Sequence, residues 1–273
     1  MNFIEQATTL LNGGPTIQRQ FFLEPQTELL NDMIQHLGDA DPQVRDELNY
    51  RLLIDLVQYH ILSDEQKQQL IDEIVSQNLL LGTVGSTHGT TVFQRALSTE
   101  WLRLLLTEDQ IKSELGKKIL EDALLLMERE RDLRAYTEEG FAYSVGNAAL
   151  LIYVLLQERQ EYTTYAAPVL MAIQSNFWKE HVFTDDEEER FLSLIELLLT
   201  NGIEEDLLVE WIEQIFDRLE MISQYEGFSA HFLKGRTAVL QFMRAFYFTL
   251  KFKNNYKKLQ STISIFIQKW YKI

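Results

Sequence analysis

After Pro42 the chain holds one further proline, Pro168, and most of its glycines fall at breaks between long segments in which apolar residues recur three and four positions apart. Proline removes a backbone donor and clashes with the preceding helical turn, so a chain nearly free of it, with that period, is confined to helices. The pattern predicts helices at 2–11, 26–37, 42–61, 64–80, 91–106, 108–130, 138–159, 163–180, 185–200, 205–225, 228–252 and 255–271. Start signals support these boundaries: Pro42 after Asp41, and capping pairs Ser63/Gln66, Thr107/Gln110 and Thr184/Glu187. In each pair a side-chain oxygen accepts from an otherwise unpaired N–H of the first turn. Asn201-Gly202 and Gly227 supply the matching stops. Along 208–222, Leu208, Trp211, Ile212, Ile215, Phe216, Leu219 and Ile222 make one apolar stripe, with Glu210, Glu213, Asp217 and Glu220 outside it.

Every second predicted start from Pro42 falls at 42, 91, 138, 185 and 228. That spacing is close to the ~40–47 residues of HEAT and armadillo units. The expected fold is therefore all-α, with about 11–12 helices stacked as antiparallel hairpins into an α–α superhelix. A single domain over 1–273 is expected, with 1–40 as an N-terminal cap and 251–273 as a Lys-rich C-terminal helix. No residue signature repeats between the units, so an irregular superhelix satisfies the pattern as well as true repeats.

An apolar content of 46% in 273 residues provides for a sizeable core, and no apolar run approaches the ~20 residues of a membrane span. The start lacks a basic segment before its apolar residues, so a cytoplasmic location is expected. The absence of cysteine excludes disulfides and thiolate chemistry. A net charge of −16 argues against a nucleic-acid partner, which requires a basic face. The charge is uneven: residues 251–273 carry six lysines and no acid, while the first 250 carry 19 basic against 41 acidic residues. The tail either lies on the acidic body or makes peripheral contact with a membrane surface or acidic partner.

Catalytic signatures are sparse. His36, His60, His88, His181 and His231 are isolated, with no pair spaced to place two imidazoles on one helical face, and no metal or cofactor is expected. Neither a Gly-x-Ser-x-Gly elbow nor a phosphate loop with Gly-Lys-Ser/Thr occurs. The loop LGTVGSTHGTT at 81–91 has three glycines before a helix start, where N–H groups can cradle an anion; alternatively it is an inter-hairpin turn in which Thr90 or Thr91 caps the next helix. TDDEEER at 184–190 lacks the spacing of a calcium loop and reads as acids at a helix start, with Glu189 and Arg190 available for ion pairs.

The segment GFAYSVGNAALL, 140–151, stands between DALLLM and LLIYVLL. As a helix it places Ala142, Gly146, Ala149 and Tyr153 on one small-residue face, and Phe141, Val145, Ala148, Ile152 and Leu155 on an adjoining apolar face. Such a helix is central, and its polar strip of Tyr143, Ser144 and Asn147 either finds internal partners or lines a groove.

Five segments in order, DPQVRDELNYRLL, VFQRALSTEWLRLLLTED, DLRAYTEEGFAYSVGNAALL, TDDEEERF and FMRAFYF, resemble a bacterial all-helical family called domain of unknown function 2785. The resemblance runs from about 40 to 250 and implies an all-helical fold without an assigned activity. It also implies a Trp-Ala-His-x-x-x-His-like pattern with an Asp in the central helix; this chain has Phe141, Ala142, Tyr143, Asn147 and Leu150 there. Charged positions of the family fall on Arg95, Arg134, Glu189, Arg190 and Arg244.

These readings favour a non-catalytic protein-binding or scaffold protein of a bacterial cytoplasm, using a concave helical surface. The alternative is an enzyme or small-ligand binder with a pocket beside Tyr143 and Asn147. The candidate binding residues are Arg95, Tyr143, Asn147, Glu189 and Arg244.

Overall fold

The computed structural model describes residues 2–86, 89–159 and 161–271; Thr87 and His88 of the glycine-rich loop and Lys272 of the tail lie outside them. The described residues form thirteen α-helices and one two-stranded hairpin, and they fall into two units, Met1–Glu158 and Arg159–Ile273. No helix among the described residues is long and apolar enough to cross a membrane.

The first unit contains α1 (Phe3–Phe21), α2 (Thr27–Gln35), α3 (Arg51–Gln58), α4 (Asp64–Ser76), α5 (Thr91–Leu105), α6 (Glu108–Lys112), α7 (Glu114–Arg129), the strands β1 (Tyr136–Thr137) and β2 (Gly140–Phe141), and α8 (Ser144–Gln157). A π-helical stretch, Gln43–Tyr50, runs directly into α3. Ser63 and Thr107 cap α4 and α6 as the sequence predicts, each in a reciprocal box with the glutamine three residues on. Several predicted helices differ in extent; 64–80, for example, ends at Ser76. The first continues past residue 11 to Phe21 across a kink, because Gly14 takes φ +67° and Pro15 then opens a new helical run. The segment 108–130 is two helices, since Ser113 is extended and its hydroxyl caps the first turn of α7.

The core of this unit is organised around α8, which packs most extensively on α5 and α7. Val145, Gly146, Ala148, Ala149, Leu151, Ile152, Leu155 and Leu156 are all buried. The expected helix start at 138 is corrected. Residues 136–141 form an antiparallel hairpin with Tyr136 opposite Phe141, so Ala142 is not on the helix and Phe141 is exposed. Ala142 packs instead on Val92 and Phe93 of α5, and its N–H donates to Ala135 O at 2.8 Å. Gly140 is the reason: its φ of +116° is open to glycine, and a Cβ there would run into Arg45 and Asp46.

The second unit contains α9 (Tyr162–Ser175), α10 (Glu187–Thr200), α11 (Glu205–Glu226), α12 (Ala230–Lys253) and α13 (Lys257–Tyr271). The predicted stripe of α11 is buried in full. Gly227, at φ +62°, ends α11 where the sequence places the stop. At α10 the cap is corrected: the helix begins at Glu187, after Asp186 in left-handed conformation, and Thr184 is not its N-cap. The Glu187 carboxylate still reaches back, accepting from the N–H groups of Thr184 (3.1 Å) and Asp185 (2.9 Å).

The Lys-rich end packs on α11 and α12. Leu259 and Ile263 are fully buried, and Phe266 stacks on Phe216 at 4.5 Å with the rings 4° from parallel. Lys253 pairs with Glu196, Lys258 with Asp206 and Lys269 with Glu220. Burial supplies the larger part of such docking, and exposed ion pairs add little.

Candidate functional site

Arg95, on α5, is fully buried, and its guanidinium forks onto Glu130 at 2.6 and 3.0 Å. Glu130 follows the last residue of α7 and is also fully buried. Its carboxylate accepts from Ser144 Oγ at 3.0 Å and from the N–H groups of Arg131 (2.9 Å) and Asp132 (3.1 Å) as well. A buried carboxylate needs this many donors, because removing it from water costs several kcal/mol (roughly) that one ion pair does not return. The remaining Arg95 nitrogen points into the glycine-rich loop, donating to Thr83 Oγ1 at 3.0 Å and more weakly to the carbonyls of Gly82 and Thr83 at 3.4 Å. Thr90 makes no side-chain cap, and Thr91 Oγ1 accepts from Arg95 at 3.3 Å. The described part of the loop thus offers acceptors to a cation of the chain's own.

Tyr143 occupies the N-cap position of α8, 7% exposed, with its ring edge-on to Tyr136 at 5.6 Å. Asn147, one turn on and half-buried, donates from Nδ2 to Ala96 O at 3.1 Å, tying α8 to α5. Arg134 forks onto Asp132 at 2.8 and 2.6 Å and donates to Gly89 O at 3.1 Å. Arg95, Tyr143 and Asn147 thus belong to the first unit, where α5 and α8 pack together. Glu189 and Arg244 belong to the second, on α10 and α12, and both are exposed. Arg244 donates to Leu240 O of its own helix and lies 5.9 Å from the Tyr271 ring.

Two groups were not singled out in the sequence. Arg45 is fully buried, its guanidinium 3.8 Å over the Phe93 ring and forked onto Asp46 at 2.9 and 2.8 Å. It also donates to the carbonyls of Asp39 and Glu139, which fastens the 136–141 hairpin. The signal was present, since Arg45 stands on the stripe of Leu48 and Leu52, where an apolar residue is expected. The second group precedes and opens α10. Glu187 and Glu188 are 5% and 7% exposed, and each leaves one carboxylate oxygen without a hydrogen-bond partner. His181 Nε2 is 3.8 Å from Glu187 Oε1, near enough for charge attraction and too far for a hydrogen bond. Gln241 of α12 donates to Glu188 at 3.1 Å.

The environments of these two neighbours differ. Burial pushes the Glu187 carboxyl up, but His181 and the N–H groups of Asp185 and its own residue outweigh it, leaving the group below the usual carboxylate range. Burial dominates at Glu188 and holds it above that range, with Glu187 and Asp186 adding repulsion against the donors of its own backbone and Gln241. Among the described residues no set of three or more acidic or histidine side chains is arranged to hold a metal ion.

Residues 80–248 match the model of a family described as protein of unknown function, DUF2785. No curated protein and no solved structure matches the chain.

Proposed function

We propose that this chain, which belongs to the DUF2785 family, is a non-catalytic protein-binding protein, built as stacked helical hairpins that present an extended surface to a partner. The observation that carries this reading is how the polar groups of α5 and α8 are used. Arg95 engages Glu130 and Thr83, and Asn147 engages the backbone of α5. Their chemistry is spent on positioning helices, and a substrate would have to displace those bonds. The outer face of α4 is of the opposite kind. An open groove there is lined by Asp64, Glu65, Gln68, Gln69, Asp72 and Glu73. Acidic and amide side chains on a rigid helix suit a basic, extended polypeptide, for which charge gives orientation and association rate more than affinity.

Co-purification followed by mass spectrometry of both proteins and small molecules tests the reading. The expected result is a protein recovered with the native chain and lost with the Glu65→Lys/Asp72→Lys double variant. A stoichiometric small molecule, released by Asn147→Ala without loss of stability, would instead establish the ligand-binding alternative beside Tyr143.

A further inference from the structure

The last 47 residues, 227–273, contain no acid and nine basic residues, whereas the remainder carries 16 basic against 41 acidic. This segment comprises α12 and α13, and the two helices use their cations differently. On α13 two of the three lysines are neutralised locally, Lys258 by Asp206 and Lys269 by Glu220, while Lys257 donates to the amide oxygen of Asn254, and the apolar stripe of the helix is occupied by α11 and α12. The C-terminal half of α12 is less used. Arg244, Phe248 and Phe252 follow one another at four-residue spacing, with Lys251 beside them, and all four are exposed. Phe248 is 53% and Phe252 84% exposed, their rings 6.1 Å apart and 26° from parallel. Neither Arg244 nor Lys251 has an ion pair among the described residues.

Two large apolar rings at a helix surface, flanked by cations without ion pairs among the described residues, are a costly arrangement in water. We propose that this face of α12 binds the surface of an anionic lipid bilayer. Phe248 and Phe252 enter the boundary between headgroups and acyl chains. Arg244 and Lys251 meet the lipid phosphates, their aliphatic stems lying along the same boundary. The form of the contact identifies the occupant. Phenylalanine offers no hydrogen-bonding group, so these rings contribute only apolar transfer, which a bilayer supplies without shape complementarity. Two cations without ion pairs are few for a polyanionic nucleic acid, whose affinity rests on counterion release. In a membrane they act as the auxiliary term that selects anionic leaflets. The sequence pointed to 251–273 as the basic contact; Lys253, Lys258 and Lys269 of that segment are ion-paired, and the exposed surface is centred on the end of α12, sharing only Lys251 and Phe252 with it.

The test is flotation of the full-length chain with phosphatidylcholine vesicles, with and without phosphatidylglycerol. The native chain is expected to float with the anionic vesicles, and the association to weaken with added salt. The Phe248→Ser/Phe252→Ser double variant should bind at least roughly tenfold more weakly. Its thermal midpoint should match the native chain, because both side chains are exposed. Arg244→Glu/Lys251→Glu should lose the preference for anionic over neutral vesicles. Equal flotation with both vesicle types, or undiminished binding by the double serine variant, would overturn the proposal. So would a native chain that ignores vesicles but captures an acidic protein or an oligonucleotide through these same residues.

Discussion

Helices α8 and α13 are nearly equal in length, 14 and 15 residues, yet they are held by different physics. α8 carries no charged side chain and buries nine residues; α13 carries three lysines and buries Leu259, Gln260 and Ile263. One is uncharged and largely apolar, and is gripped by two neighbours. The other has one apolar stripe and a charged outer face, and is laid on a surface. Charge follows the same division. Beside α8 it is buried and satisfied by many partners, as at Arg95 and Glu130. Along α13 it is exposed, and Lys258 and Lys269 each pair with a single carboxylate. Position within a unit is therefore readable from how a helix distributes its polarity, and the cost of damage should scale with it.

The largest effect is expected at the buried pair. Glu130→Ala leaves Arg95 charged and uncompensated, and should lower stability in urea unfolding by about 3–5 kcal/mol. Replacing both partners by apolar residues, Arg95→Met with Glu130→Leu, should recover much of that loss. If Glu130→Ala unfolds at the native urea concentration, the contrast between the two helices fails at its root.

Next in size are changes within α8. Gly146→Leu inserts several methylenes into a packed contact, where even modest overpacking costs about 1–3 kcal/mol. Asn147→Ala removes the side-chain bond to the Ala96 carbonyl, which keeps its helical partner, and should cost about 1 kcal/mol, read from the same curves. On α13 the losses should be smaller and of another kind. Phe266→Ala removes a half-buried stacking partner of Phe216, worth about 1 kcal/mol. Lys269→Ala should stay within about 1 kcal/mol, and added salt should erase the difference. A lysine variant as damaging as Gly146→Leu would mean that α13 is anchored by charge, reversing the comparison.

The smallest expected effect is a pH dependence of mixed sign from Glu187 and Glu188. Glu187 is lowered from its ordinary value of 4.5, so its contribution to stability is present above pH 4.5 and is lost as pH falls through its folded value. Glu188 is raised from 4.5, so its contribution is present below pH 4.5 and is lost as pH rises through its folded value. Glu187→Gln should therefore flatten the acid side of the stability profile and Glu188→Gln the side above pH 4.5, as measured by unfolding across pH 3 to 7 (about). Identical profiles for the two variants would remove the distinction between the sites.

Local features were legible in the sequence. The α11 stripe, the Ser63 and Thr107 boxes and the Gly227 stop follow from periodicity and capping chemistry within one or two turns. What escaped reading depends on distant partners. The 136–141 hairpin interrupts a helical pattern because Arg45 and Asp46 pack against Gly140. Glu130 looks like its neighbours in the run Glu128-Arg129-Glu130-Arg131, and only the return of the chain beside α5 selects it as the partner of Arg95. The two carboxylates opening α10 read as helix-start acids, since nothing local says that they are buried or that Gln241 of α12 reaches Glu188. Of the five candidate residues, Asn147 and Arg95 have the interhelical ties that a central α8 demands, and the exposed Glu189 and Arg244 could be placed only by knowing which side of α10 and α12 faces outward.

The bond from Arg45 to the carbonyl of Glu139 spans 94 positions, and this orders events in time. A ribosome releases Arg45 long before Glu139 exists, so the guanidinium must stay hydrated while the intervening helices form. A ladder of two-residue strands does not persist by itself in water. The hairpin is therefore a late-closing clasp, set only when both ends of a long loop have met. Its amide hydrogens then serve as a clock for completion of the first unit: they should gain protection after those of α5 and α7 during refolding, and in step with the burial of Phe93 beneath Arg45.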